Sequence, residues 1–263
     1  CMSPYHPASD NDNLTQVLVR REYYCDPEET LHLALQPDTL MALVAYDSEH
    51  SDTIDLRPYI KDGYLDYTVP RGNWNIEEYV CTKKLPEDAS ARYTCNRLSF
   101  DSCTNFLDRL FAALGKDLTS ELGKTITSLY APELCFHAPN RRNWDPSFNR
   151  VFIDRFGIDP APYYPTLYHN IGEKDAHIKA MFMDCRAELF RSGILCAIKA
   201  FCDRHDVRTF YSLAEPKLAS CSWLNGDTLA GGLFSPCAVQ EKSYLYGMNS
   251  THLAASAADN FGS

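Results

Sequence analysis

The sequence predicts an α/β chain: a partial (β/α)8 TIM-type barrel over residues 86–263, preceded by a small antiparallel β-rich segment over residues 1–85. Three observations lead there. Residues 14–83 hold short apolar or alternating runs separated by turn residues, the pattern of a small sheet or sandwich. After about residue 85 the order becomes strand, loop, helix, and then repeats, as in parallel β/α units. The helices of that second part are amphipathic and its strands short and apolar, as where a barrel wall is covered on its outside.

In chain order, residues 1–13 are rich in Pro, Ser, Asp and Asn and read as loop. Strands are predicted at Leu18–Tyr24, Leu31–Leu35, Leu40–Tyr46, Thr53–Leu56, Tyr64–Val69 and Trp74–Val80. Gln36-Pro37-Asp38, Lys61-Asp62-Gly63 and Pro70-Arg71-Gly72-Asn73 supply turns between them. Asp101 is placed to cap a helix ending at Gly115, with Phe106, Leu107, Leu110, Phe111 and Leu114 on one face. A buried strand at Thr125–Tyr130 leads to Glu133. Ser147 caps a short helix that Gly157 closes. A Pro- and Tyr-rich stretch, 159–168, precedes a long helix over 174–204. A strand at Val207–Tyr211 leads to Glu215, and a further strand at 243–248 and a helix at 250–260 end the chain.

Composition narrows the function. Hydrophobic residues make up 45%, enough for a sizeable core, and the net charge is −10, which repels phosphate backbones and argues against a nucleic-acid partner. No apolar stretch is long enough to span a bilayer, so no membrane partner is expected. The 11 cysteines are odd in number, with no CxxC pair. They read as reduced core filler, Cys185, Cys196 and Cys202 above all, and point to the cytoplasm. No HExxH, GxSxG, GxGxxG or P-loop pattern occurs, which argues against zinc proteases, serine hydrolases, dinucleotide enzymes and kinases.

Glu133 and Glu215 are the candidate catalytic pair. Each follows a predicted barrel strand, and the C-terminal strand ends are where such barrels carry their chemistry. Two carboxyl groups facing one sugar are what glycosidic cleavage needs, one to protonate the leaving oxygen and one to activate water or attack the anomeric carbon. A solvated glutamate at a helix start reads the same way in sequence. The loop after Glu133 offers His137, Asn140, Arg141, Arg142 and Trp144, and the loop after Glu215 offers Lys217, Trp223, Asn225 and Asp227. Planar donors and indole rings suit sugar hydroxyls and ring faces, so these are the candidate substrate-binding residues. Surface ion pairs and core packing are the plain alternatives. His169, His177, His205 and His252 read as surface or capping residues.

Several runs resemble a known family. Asp52-Thr-Ile-Asp-Leu56 followed by Asp62-Gly-Tyr-Leu-Asp-Tyr-Thr-Val-Pro-Arg-Gly-Asn-Trp74 is similar to the β-rich segment of the α-L-rhamnosidase-like glycoside hydrolases of family 106. Tyr130-Ala-Pro-Glu133, Asn140 to Trp144, Phe156-Gly-Ile-Asp-Pro160, Tyr164-Pro-Thr-Leu167 and Tyr246-Gly-Met-Asn249 follow in the family's order. The resemblance implies Glu133 and Glu215 as acid and base, inversion at the anomeric carbon, a terminal α-L-rhamnoside as carbohydrate substrate, and a calcium ion near the sugar, with no ligands assigned. It also implies that earlier barrel strands lie outside this chain, since residues 86–263 fall short of the about 250 that a barrel typically takes. Pro132 stands where the family often has Asp, and Pro216-Lys217 replaces an acidic continuation. A retaining β-galactosidase-like barrel is a second reading, though it typically has Asn where Pro132 stands. A non-catalytic carbohydrate-binding relative is a third.

Overall fold

The computed structural model describes residues 15–35, 38–47, 49, 52–83, 95–134 and 143–213. The chain divides into two compact units. One, the sheet unit, comprises 16–82 and 144–185; the other, the helical unit, comprises 1–15, 83–143 and 186–263. Residues 144–185, expected with the barrel part, thus group with the β-rich segment.

The sheet unit begins with seven strands: β1 (Gln16–Tyr24), β2 (Thr30–Ala34), β3 (Thr39–Asp47), β4 (Thr53–Asp55), β5 (Ile60–Lys61), β6 (Tyr64–Thr68) and β7 (Trp74–Lys83). The expected antiparallel sheet is present. β3 pairs antiparallel with β4 and β7, and β2 and β5 pair antiparallel with β6. Gly72, at φ +132°, makes the turn into β7, and a Cβ there would lie 2.9 Å from the Trp74 indole nitrogen.

Alternation sorts the central strands into two faces. Leu43 and Ala45 of β3 with Ile76 of β7 point one way, and pack with Leu56, Leu65 and Val69 into one buried cluster. Each such side chain contributes about 1.5–3 kcal/mol by leaving water. The opposite face carries Val44 and Tyr46 beside Glu77 and Asn75.

In the helical unit, α1 (Phe100–Leu114) buries Ser102, Cys103, Phe106 and Leu107, a stripe at three- and four-residue steps. Leu114, expected on that face, is exposed. The cap is Ser99, not Asp101: Ser99 has extended backbone, and its hydroxyl accepts the Ser102 N–H at 3.3 Å. The short α2 (Lys116–Thr119) follows, then β8 (Ser128–Leu134).

A two-residue strand, β9 (Asn143–Trp144), joins the edge of the five-stranded sheet, whose order is β4-β3-β7-β1-β9. α3 (Phe148–Phe156) ends where predicted, with Gly157 in the left-handed region at φ +71°. Its first turn is held by Asp145, whose carboxylate accepts the Ser147 N–H at 2.8 Å and hydroxyl at 2.5 Å. The Pro/Tyr stretch forms a 3-10 segment, Ala161–Leu167.

The predicted long helix is α4 (Asp175–Phe190) and α5 (Cys196–Arg204), joined by a π-helical turn at Arg191–Leu195. The cause of that turn is visible. Ile194 N–H donates to Arg97 O at 3.0 Å, and Gly193 lies so close that a Cβ would stand 2.4 Å from the same oxygen. α5 packs on α1 through Phe201 and Phe111, ring centres 4.5 Å apart. Finally β10 (Arg208–Leu213) lies parallel to β8.

The protein is therefore a mixed α/β structure with antiparallel sheets and several helices. Its parallel pair β8 and β10 is separated in sequence by helices, but no closed barrel forms among the described residues. Cys185 and Cys202 are buried free thiols and Cys196 is half-buried, in keeping with a filler role. No helix among the described residues is long and apolar enough to cross a membrane. The expected loop at 1–13 and the elements at 243–260 lie outside the described residues.

Candidate functional site

Glu133 lies within β8 rather than after it, because the strand starts and ends later than its apolar content indicates. Ser128, Leu129, Tyr130 and Ala131 stand opposite Arg208, Thr209, Phe210 and Tyr211 of β10, and an irregularity follows Tyr211 before Leu213 meets Leu134. Glu133 thus occupies the one-residue register break at the C-terminal end of a parallel pair. Glu215, His137, Asn140, Arg141, Arg142, Lys217, Trp223, Asn225 and Asp227 lie outside the described residues.

Trp144 is corrected from sugar platform to core. It is 1% exposed. Its indole packs on Phe148 at 4.2 Å between ring centres and on Phe182 at 6.2 Å, and its N–H donates to the Tyr164 hydroxyl at 3.1 Å. That hydroxyl donates to Asn149 Oδ1 at 2.7 Å, and Asn149 Nδ2 donates to Met41 O at 2.7 Å. A stacking platform needs an open ring face, and this ring is enclosed.

A polar cluster that sequence reasoning did not find sits in the sheet unit. β7 carries two adjacent glutamates, both fully buried, and alternation sends them to opposite faces. β1 supplies an arginine to each: Arg20 reaches Glu77 at 3.3 Å and Arg21 reaches Glu78 at 3.1 Å. On the Glu78 side, the Tyr23 hydroxyl donates to Oε2 at 2.8 Å, while Oε1 has no hydrogen-bond partner among the described residues. Burial, with Glu78 beside it, pushes the Tyr23 phenol up to about 12. Arg21 also holds Asp38 at 2.7 Å, and a Thr82 hydrogen bond together with Arg21 lowers the Asp38 carboxyl from its usual value.

On the Glu77 side, His169 follows the 3-10 segment and brings Nε2 to 2.6 Å from Glu77 Oε1. Arg20 Nη1 lies 2.8 Å from the same nitrogen. Tyr79 donates its hydroxyl to Glu77 Oε2, and burial followed by the Glu77 charge drives that phenol far above its ordinary value. The His169 ring stacks on Tyr46 at 4.9 Å and 15°, and the Arg20 guanidinium lies 4.3 Å over the Tyr168 ring. Glu22 joins through Arg20 at 3.3 Å. Arginine only donates, so His169 Nε2 either accepts from Arg20 or gives a proton to Glu77. The signal in sequence is the pair of charged doublets, Arg20-Arg21 in β1 and Glu77-Glu78 in the mostly buried β7.

The loops beside Glu133 and Glu215, where the calcium was expected, lie outside the described residues. Among the described residues one group of three potential ligands comes together, Glu22, Glu77 and His169, with ligand atoms within 4.8 Å of one another. Calcium takes six to eight oxygen ligands. This set mixes imidazole with carboxylate, and a guanidinium already supplies the positive charge.

No family model matches the sequence, and no curated protein matches it. Among solved structures, the fold is similar to that of a rhamnosidase from Novosphingobium sp. PP1Y, with a TM-score of 0.62 at 18% identity. The likeness covers 84% of this chain and 22% of that chain, so the chain spans about a fifth of the length of the structure it resembles. At that identity the likeness establishes the fold.

Proposed function

We propose that this chain carries part of the catalytic region of a glycoside hydrolase acting on a terminal α-L-rhamnoside, with Glu133 and Glu215 as general acid and base. The observation that carries the reading is the parallel pairing of β8, which bears Glu133 near its C-terminal end, with β10, which ends two residues before Glu215. Carboxylates issuing from the same end of adjacent parallel strands are the arrangement that α/β enzymes use to face one substrate. The fold likeness to a rhamnosidase structure supports the same reading, as does the order of the runs that resemble family 106. Water enters between the two carboxyl groups in an inverting enzyme, which calls for a separation of about 6.5–9.5 Å; about 5 Å accompanies retention.

The loop residues His137, Asn140, Arg141, Arg142, Lys217, Trp223, Asn225 and Asp227 are assigned to the sugar hydroxyls and ring. Trp144 is withdrawn from that set, since its ring is enclosed. The test is release of nitrophenol from nitrophenyl α-L-rhamnopyranoside by the protein that carries this chain, with Glu133→Gln and Glu215→Gln as variants. Loss of a general acid or base lowers turnover by about 10²–10⁴-fold. Turnover that survives in both variants would overturn the assignment.

A further inference from the structure

A cavity of about 480 Å³ opens between the segment that follows β1 and the turn that enters β7. That volume falls within the range of about 300–1,000 Å³ usual for small-molecule sites. Its walls include Tyr24, Asp26, Glu29, Asn73, Trp74 and Asn75.

Two aromatic rings stand here with different supports. Trp74 is half-buried and packs against the sheet core, while its indole N–H donates to Arg71 O at 3.2 Å. The ring is thereby fixed in orientation, and Gly72 leaves the space beside it clear. Tyr24 is 80% exposed, an unusual placement for a ring that gains by leaving water. Planar polar groups surround them. Asn73 is held by a 2.7 Å bond from Nδ2 to Glu49, and Glu29 is held by the Asp26 N–H at 3.3 Å. Asn75 adds a second amide to the lining.

We infer that this cavity binds one unit of a neutral saccharide, stacked on Trp74 and Tyr24 and hydrogen-bonded through Asn73, Asn75, Asp26 and Glu29. Aromatic faces take the C–H side of a sugar ring, and carboxylates and amides take paired hydroxyls. An apolar ligand is excluded by the two carboxylates. An acidic sugar is disfavoured because no Lys, Arg or His lines the cavity. The cavity belongs to the sheet unit and Glu133 to the helical unit, and the inference does not rest on the hydrolase reading.

Affinity electrophoresis tests it, with Glu133→Gln as the parent so that turnover cannot erode the gel matrix. The probes are galactomannan, xyloglucan and arabinogalactan as neutral polysaccharides and polygalacturonate as the acidic one. The expected result is retardation by at least one neutral polysaccharide, with at least a tenfold loss of apparent affinity in Tyr24→Ala and in Trp74→Ala, and no retardation by polygalacturonate. Because Tyr24 is so exposed, its variant keeps the test readable even if Trp74→Ala does not fold. Migration unchanged in every neutral gel, retardation that Tyr24→Ala leaves intact, or equal retardation by polygalacturonate overturns the inference. Retardation, together with no rhamnosidase activity in the protein that keeps Glu133, leaves it standing and counts only against the hydrolase assignment.

Discussion

His169 Nε2 stands 2.6 Å from Glu77 Oε1, although the two residues are 92 positions apart and the carboxylate is fully buried. With Arg20 and Tyr79, His169 makes Glu77 a buried charge whose partners are all supplied from elsewhere in the unit. Removing one partner of a buried pair costs about 3–5 kcal/mol, because the other charge is left uncompensated. Glu77→Gln is therefore expected to lower unfolding free energy by about 3 kcal/mol in a urea titration. Glu77→Gln with Arg20→Met together should cost less than Glu77→Gln alone. Additive losses in this double-mutant cycle would show that the two do not act as a pair.

Gly193 sits in the π-helical turn where Ile194 N–H leaves the helix ladder for Arg97 O. A Cβ at Gly193 would meet that oxygen at 2.4 Å, and Leu98 C at 2.9 Å, both backbone atoms that cannot swing away. Gly193→Ala is expected to destabilise by about 1–3 kcal/mol despite alanine's better helix propensity. Ser192→Ala, one residue earlier, removes a hydroxyl bound to Glu188 O at 2.8 Å and should cost about 1 kcal/mol or less. Equal melting temperatures for Gly193→Ala and the parent would remove the steric account of the turn.

The strands of residues 16–83 were legible because their determinants are local: alternating side chains, and Gly- or Pro-bearing turns. The expected Leu40–Tyr46 is β3 with one residue added at each end. The helix cap was misplaced by two residues, since Ser99 and Asp101 both have capping side chains and only backbone geometry separates them. β8 was read three residues early because its limits follow the register of β10, a partner nearly 80 residues away. The Glu77–His169 cluster was illegible for the same reason, as its members meet through strand pairing and tertiary packing. Trp144 misled because an indole has the same chemistry in a core as on a sugar platform, and burial decides which role it takes.

Raised phenols, Tyr23 and Tyr79 among them, make the sheet unit sensitive to alkali. A phenol whose folded pKa exceeds its unfolded value of 10 contributes stability that is intact below pH 10 and falls away as pH climbs, because the unfolded chain ionises first. For Tyr23 the window runs from pH 10 to about 12, and for Tyr79 the loss continues beyond it. Thermal melts across pH 8–12 should show a falling transition temperature above pH 10, and Tyr23→Phe should flatten part of that slope. A slope identical in Tyr23→Phe and the parent would remove Tyr23 from this account.

Trp144 separates a core role from a binding role in one residue. Its ring is enclosed by Phe148 and Phe182, and its N–H starts a directed chain through Tyr164 and Asn149 to the Met41 carbonyl in β3. Trp144→Ala removes a large buried ring and leaves a cavity, at an expected cost of about 3–5 kcal/mol. Trp144→Phe keeps much of the volume but leaves the Tyr164 hydroxyl without its donor. That hydroxyl still donates to Asn149, so the expected loss is smaller, about 1–2 kcal/mol. Under the proposed hydrolase assignment, folded Trp144→Phe in the protein that carries this chain should leave KM for a rhamnoside unchanged, since no face of the ring is open to a sugar. A raised KM in a variant whose melting curve matches the parent would return Trp144 to the substrate site.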